Sequence, residues 1–151
     1  MRFTLLSLIL ASSLAAAVAN MGGTWMLDQK RSRFADDMRP GQVTLTIEHN
    51  DPQLKYSGTT NNPTEGAIND FSYDGAVDGK EHVVKQDKGD RRVTFKRING
   101  RTVESLSKGP EGEVRSRITM SREGHSMERR MTVKAPDGKT RRWVEVYTKK
   151  K

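Results

Sequence analysis

Four side chains in the second half of the chain are of types that could do chemistry: Glu104, Arg129, Glu145 and Tyr147. Two carboxylates facing one lumen would make a general acid/base pair. An arginine facing a glutamate inside a small protein would do something else. It would hold a paired charge away from water, where an unpaired ion costs several kcal/mol. The direction in which each side chain points decides between these readings, and strand register sets that direction.

Other chemistries find less support. His49, His82 and His125 fall at a strand end, within a strand and in a turn, without metal-ligand spacing. The chain has no cysteine, which excludes thiol catalysis and thiolate-held metals. It has no Gly-x-Ser-x-Gly elbow and no glycine-rich phosphate loop after a strand. The expectation is a noncatalytic protein with no cofactor and no metal.

The elements that must position these residues read as strands. Turn signals recur at Asn50-Asp51-Pro52, Asp74-Gly75, Asp78-Gly79, Lys88-Gly89-Asp90, Asn99-Gly100, Pro110-Glu111-Gly112, Glu123-Gly124 and Pro136-Asp137-Gly138. Between them lie strand-length segments rich in Val, Thr and aromatic residues. The predicted strands are Thr24–Gln29, Gln42–His49, Gln53–Thr60, Ala67–Tyr73, Lys80–Gln86, Arg91–Ile98, Arg101–Lys108, Glu113–Ser121, His125–Lys134 and Thr140–Lys149. The spacing predicts an all-β fold, a single antiparallel up-and-down β-barrel of about 8–10 strands. One short helical turn is expected over Arg31–Met38, leading into Pro40-Gly41. In VTLTIEH, Val43, Leu45 and Ile47 should face in, and Thr44, Thr46 and Glu48 out.

Two hairpins fix register. Asn99-Gly100 reads as a two-residue type I′ turn, which pairs Ile98 with Arg101, Phe95 with Glu104 and Val93 with Leu106. Glu104 then shares the inner face with Phe95 and Val93, and with Glu145 would form the acid/base pair. Pro136-Asp137-Gly138 reads as a three-residue loop, with Gly at the left-handed position. Ala135 then pairs with Lys139, Met131 with Trp143, Arg129 with Glu145 and Met127 with Tyr147. That register turns Arg129 and Glu145 inward among Met127, Met131, Val133, Trp143 and Tyr147. A two-residue closure would slip the pairing by one, turning Trp143, Glu145 and Tyr147 to solvent and Val144 and Val146 inward.

The N-terminus reads as a targeting signal. Arg2 supplies the positive region, Phe3 to Leu14 the apolar run, and Ala17-Val18-Ala19 a small-residue cleavage site before Asn20. Residues 1–19 are thus expected to leave, and residues 20–151 to form one domain. No later stretch is long and apolar enough to cross a membrane as a helix. The expected location is the periplasm or the exterior, and the absence of disulfide-forming cysteines leans toward a Gram-negative periplasm. Formal net charge is +8, unevenly spread. Residues 20–87 hold 7 basic and 11 acidic side chains, and residues 88–151 hold 19 and 8. A basic half can attract anionic lipid, lipopolysaccharide or nucleic acid, although Lys and Arg also simply fill the wet face of strands and blunt exposed edges. Export argues against nucleic acid.

Gly23-Thr24-Trp25 on the first strand resembles the Gly-x-Trp signature of the calycins, the lipocalin and fatty-acid-binding-protein group. GTWMLDQKRSRF resembles the fatty-acid-binding opening, and WVEVYTKK that family's last strand. From Gly23 on, the chain also resembles a set of exported bacterial proteins of unassigned function with a lipocalin-like barrel. The resemblance implies a closed barrel with Gly23 allowing close backbone approach and Trp25 sealing the floor below an apolar or mixed cavity. In the family, an Arg-x-Tyr pair on the last strand holds a ligand carboxylate. Here Tyr147 stands at the tyrosine's place, but Glu145 occupies the arginine's. The stretch from Arg31 to Gln42 is also too short for the two-helix lid of that family.

The function expected first is a noncatalytic exported barrel that binds a small apolar or amphipathic ligand or lipid. Its candidate lumen residues are Tyr56, Phe71, Tyr73, Phe95, Glu104, Met120, Arg129, Met131, Glu145 and Tyr147. Core packing would explain the same residues if the barrel were filled by its own side chains. The alternative is a cell-envelope interaction protein. Its outer arginines Arg115, Arg117, Arg130 and Arg142 and the Lys149-Lys150-Lys151 tail would meet anionic lipid or an acidic partner. An enzyme using lumenal Glu104 and Glu145 is the third and weakest reading.

Overall fold

Alternating apolar and polar residues between Gly, Asn, Asp and Pro turns give ten strands joined by short connections. The structure, a computed structural model, describes residues 19–35, 39–62 and 67–151, and the side chains of residues 61, 62 and 67–71 fall outside that description. The strands are β1 (Gly23–Leu27), β2 (Gln42–Asn50), β3 (Gln53–Asn62), β4 (Ala67–Ala76), β5 (Glu81–Val84), β6 (Arg91–Asn99), β7 (Thr102–Gly109), β8 (Gly112–Met120), β9 (Ser126–Lys134) and β10 (Thr140–Lys149). They form one antiparallel sheet in the order β4-β3-β2-β1-β10-β9-β8-β7-β6-β5. First and last strands pair side by side, with Trp25 opposite Lys149 and Leu27 opposite Tyr147. The sheet edges β4 and β5 come into contact without a ladder between them. The result is a nearly closed up-and-down barrel.

The predicted strands match these within three residues at either end. Among the described residues there is no helix. Arg31 lies in a turn and Arg33 bridges Val144, and residues 36–38 of the expected helical turn lie outside the description. So does the expected signal peptide, except for Ala19. In β2 Val43 and Leu45 are buried, Thr46 and Glu48 are exposed, and Thr44 and Ile47 are both half-buried.

The β9–β10 hairpin adopts the three-residue register, not the slipped one. Ala135 N–H donates to Lys139 O at 2.9 Å, Gly138 has φ 84°, and Arg129 stands opposite Glu145.

The β6–β7 hairpin departs from the sequence reading. A type I′ turn needs positive φ at both Asn99 and Gly100, and neither has it. Instead Asn99 pairs with Thr102, and its Oδ1 accepts the Arg101 N–H at 2.9 Å. Arg97 pairs with Val103, so Ile98 is an extra residue that shifts register by one. Phe95 therefore faces Ser105, and Glu104 faces Lys96. Glu104 lies on the outer side, with its carboxylate 3.3 Å from Lys96 Nζ and 3.8 Å from Arg115. The expected lumenal position of Glu104 is thus corrected, and the acid/base pair with Glu145 falls with it. The bulge keeps a carboxylate out of an apolar row and buries Val103 completely.

The core sits at one pole. Both ends of the described chain meet there, with the β2–β3, β4–β5, β6–β7 and β8–β9 turns. Trp25 is wholly buried, and its Nε1–H donates to Met21 O at 2.9 Å. Met21, Leu27, Leu45, Leu54, Phe95, Val103, Met120, Met127 and Tyr147 pack around it. Lys149 Nζ lies 5.4 Å from the indole centroid, and any Cβ at Gly23 would overlap Lys149 Cε. Met21 N–H donates to His49 Nδ1 at 3.1 Å, so residues 19–22 form a strap beneath the barrel.

Candidate ligand-binding cavity

The opposite pole is hollow. A cavity of 1120 Å³ opens there among the β1–β2, β5–β6 and β7–β8 connections. It is somewhat larger than the roughly 300–1,000 Å³ of common small-molecule sites. Apolar surface comes from Phe34, Val43, Val93, Val114, Met131 and Trp143. Hydroxyls come from Tyr56, Thr59, Ser105, Ser107, Ser116 and Tyr147. A second, water-sized void of 30 Å³ lies deeper, and Tyr56, Ser105, Ser116 and Arg129 line both spaces. These four mark the border between the hollow and the packed floor.

Alternation on β9 and β10 points Arg129, Met131, Trp143, Glu145 and Tyr147 inward together. Arg129 Nη1 lies 3.2 Å from Glu145 Oε2, and each side chain is only 13% exposed. The same Oε2 accepts the Tyr147 hydroxyl at 2.9 Å, and Oε1 accepts Trp143 Nε1–H at 2.7 Å. The guanidinium also lies over the Tyr147 ring, 5.9 Å from its centroid. Burial is the largest influence on Arg129 and works against its charge, but Glu145, Tyr147 and Tyr56 together outweigh it and hold the guanidinium above its ordinary pKa. Burial likewise raises the Tyr147 hydroxyl against the pull of Arg129, and raises Tyr56 in the same way. The Nε–H of Arg129 is buried and has no hydrogen-bond partner.

Three more rings pack beside this group, tilted or edge-on to one another. Tyr56 lies 5.8 Å from both Tyr73 and Phe95, and Tyr73 lies 4.7 Å from Phe95, centroid to centroid. The Tyr73 hydroxyl both donates to Ala76 O and accepts Ala76 N–H, each at 3.1 Å. Burial pushes its pKa up to about 12.

The sequence-predicted lumen residues therefore separate into groups. Tyr56, Tyr73, Arg129, Met131, Glu145 and Tyr147 line the main cavity. Phe95 lines only the floor void, and Met120 is packed core that reaches neither space. Glu104 is outside the barrel. The backbone of Phe71 pairs with Gly58, but its side chain is outside the description. Sequence reasoning missed Ser105 and Ser107, because the assumed β6–β7 register turned them outward. Ser105 Oγ lies 2.6 Å from Ser116 Oγ, and Arg91 Nε–H donates to Ser107 Oγ at 2.9 Å. Trp143, which the register of β10 turns inward, is a further wall of the cavity.

Two of the four outer arginines have acidic neighbours. Arg115 lies 3.6 Å from Glu113 and 3.8 Å from Glu104, and Arg130 lies 2.7 Å from Glu128.

No protein-family model and no curated protein sequence matches this chain. Solved structures match it in shape. A Schistosoma mansoni fatty acid binding protein in complex with arachidonic acid aligns with a TM-score of 0.62 at 13% identity, covering 87% of this chain and 96% of that one. The fatty-acid-binding protein of Manduca sexta aligns at 0.55 and 14% identity, covering 86% and 99%. A zebrafish ileal bile acid-binding protein complexed with cholic acid aligns at 0.53 and 16% identity, again covering 86% of this chain and 98% of that one. The chain has the calycin fold of the fatty-acid-binding proteins. At this identity the likeness speaks to the fold alone.

Proposed function

We propose that this protein is a noncatalytic binding protein that holds one small apolar or amphipathic molecule inside its barrel and works in the periplasm or outside the cell. The observation that carries the reading is the 1120 Å³ lumen with mixed apolar and hydroxyl walls, set above a floor sealed by Trp25. A filled barrel would serve packing only. A hollow one turns Phe34, Val114 and Trp143 toward a shared space, and burying that surface on a ligand is favourable. Neighbours of the same fold that carry arachidonic or cholic acid support the reading. Export rests on Arg2, the apolar run Phe3–Leu14 and Ala17-Val18-Ala19.

Native mass spectrometry of protein purified from its own cell envelope tests the function. A co-purifying small molecule, lost on denaturation, is the expected result. A bare mass together with failure to bind a neutral environment-sensitive dye such as Nile red would count against it. The envelope-surface alternative has less to stand on, because acidic neighbours already pair with Arg115 and Arg130.

A further inference from the structure

The chemical class of the ligand follows from how the lumen handles charge, given the binding function proposed above. Its two most buried cations are both answered by carboxylates. Arg129 meets Glu145 at 3.2 Å. Arg91, whose side chain is 14% exposed, bonds Ser107 and lies 3.7 Å from Glu111. At the rim Lys88 also lies 3.8 Å from Glu111, and Lys85 lies 2.7 Å from Asp90. Glu145 is itself fully engaged, since Trp143, Tyr147 and Arg129 occupy both of its oxygens.

A ligand carboxylate entering this space would meet no uncompensated cation near Arg129. It would have to displace Glu145 or lie beside it, and two like charges in a water-poor site repel while each loses hydration. A neutral oxygen faces neither difficulty. One donor at the cavity border lacks a partner, the buried Arg129 Nε–H, and a small shift of the guanidinium would present it to the lumen. An unmet buried donor costs about 1–3 kcal/mol, and a carbonyl, ether or hydroxyl oxygen would satisfy it without bringing a charge. Ser105 and Ser116, whose hydroxyls lie 2.6 Å apart, line the same border and make it polar.

We propose that the cavity selects uncharged amphipaths, an apolar body carrying a neutral oxygen acceptor seated beside Arg129, and discriminates against the matching carboxylates. Glu145 is then the specificity-determining residue, because it cancels the charge that an acid would need.

The test is displacement of Nile red from the full-length mature protein at neutral pH by dodecanol, dodecanamide and dodecanoate. These share one chain and differ only at the head. The neutral pair should displace the dye at concentrations at least about tenfold below dodecanoate, the size of effect expected for one unmatched charge. Glu145→Gln should narrow or reverse that ratio, because the amide oxygen can accept from Trp143 Nε1–H while the amide NH2 donates to the Tyr147 oxygen, leaving Arg129 uncompensated. Displacement by dodecanoate as good as by dodecanol in the unmodified protein would overturn the proposal and leave the binding function standing. An unchanged ratio in folded Glu145→Gln would also overturn it. If Nile red binds and none of the three displaces it, the proposal fails. If the dye itself does not bind, the binding function fails with it. The unmodified-protein comparison needs no variant, so it decides even if Glu145→Gln does not fold.

Discussion

Trp25→Ala would remove the largest wholly buried side chain in the molecule together with the donor to Met21 O. Truncating a buried aromatic costs about 3–5 kcal/mol, so the urea midpoint should fall sharply, and a change under 1 kcal/mol would contradict the role given to the indole. His49 is the second residue on which the floor depends. Its Nδ1 accepts from Met21 N–H, which requires the neutral ring. Burial lowers its pKa from the ordinary 6.5, against the opposing pull of Asp51, with Arg97 nearby adding to the lowering. A group lowered in the folded state is protonated more readily in the unfolded chain. Its stability contribution is therefore complete above about pH 6.5 and is lost as pH falls through the folded-state value. Urea midpoints at pH 7.5 and pH 5 should differ in the native protein. The difference should shrink in His49→Gln, whose amide oxygen can still accept from Met21. An equal difference in both would assign the acid sensitivity elsewhere.

The ten elements differ in how firmly they are held. β5 has four residues, a ladder on one side only and an exposed Val83. β1 is bonded on both sides by β2 and β10. Amides of Glu81–Val84 should exchange with deuterium orders of magnitude faster than those of Trp25 and Leu27, since unsupported edges open locally. Equal protection would mean that β4 and β5 are joined in solution. Hairpin chemistry also explains how far the sequence could be read. Pro136 and Gly138 each preset a backbone angle, which favours the three-residue reading of their loop over the two-residue slip and carries Arg129, Glu145, Trp143 and Tyr147 to the inner face. Asn99-Gly100 marks a turn equally well, but nothing local announces the extra residue at Ile98. That shift is decided by tertiary gain, with Val103 inside and Glu104 beside Lys96, and a turn motif cannot report it.

At the scale of the whole molecule, the barrel was legible because ten alternating segments with short turns leave few alternatives. The hollow was not. An internal space is a difference between wall and filling, and it depends on small residues such as Ser105, Ser107 and Ser116 standing where large ones would close it. The basic half keeps its excess of 19 basic over 8 acidic side chains, with its glutamates set among its arginines. β6 to β10 carry the arginines, but the same strands bring Glu104, Glu113, Glu128 and Glu145 alongside them. Export makes a prediction of its own. Protein recovered from the producing cell's envelope should begin at Asn20 by intact mass, and retention of residues 1–19 in the recovered protein would argue against processing.

Met21 N–H donates to His49 Nδ1 at 3.1 Å, and Lys150 N–H donates to Thr24 O at 2.8 Å, so the main chain enters and leaves at the sealed pole. An affinity handle, a flexible leash or a coupling to a solid support can therefore be attached at either end without crowding the entrance. A molecule so moored would stand with its opening turned toward the bulk solution, able to load and unload while held in place.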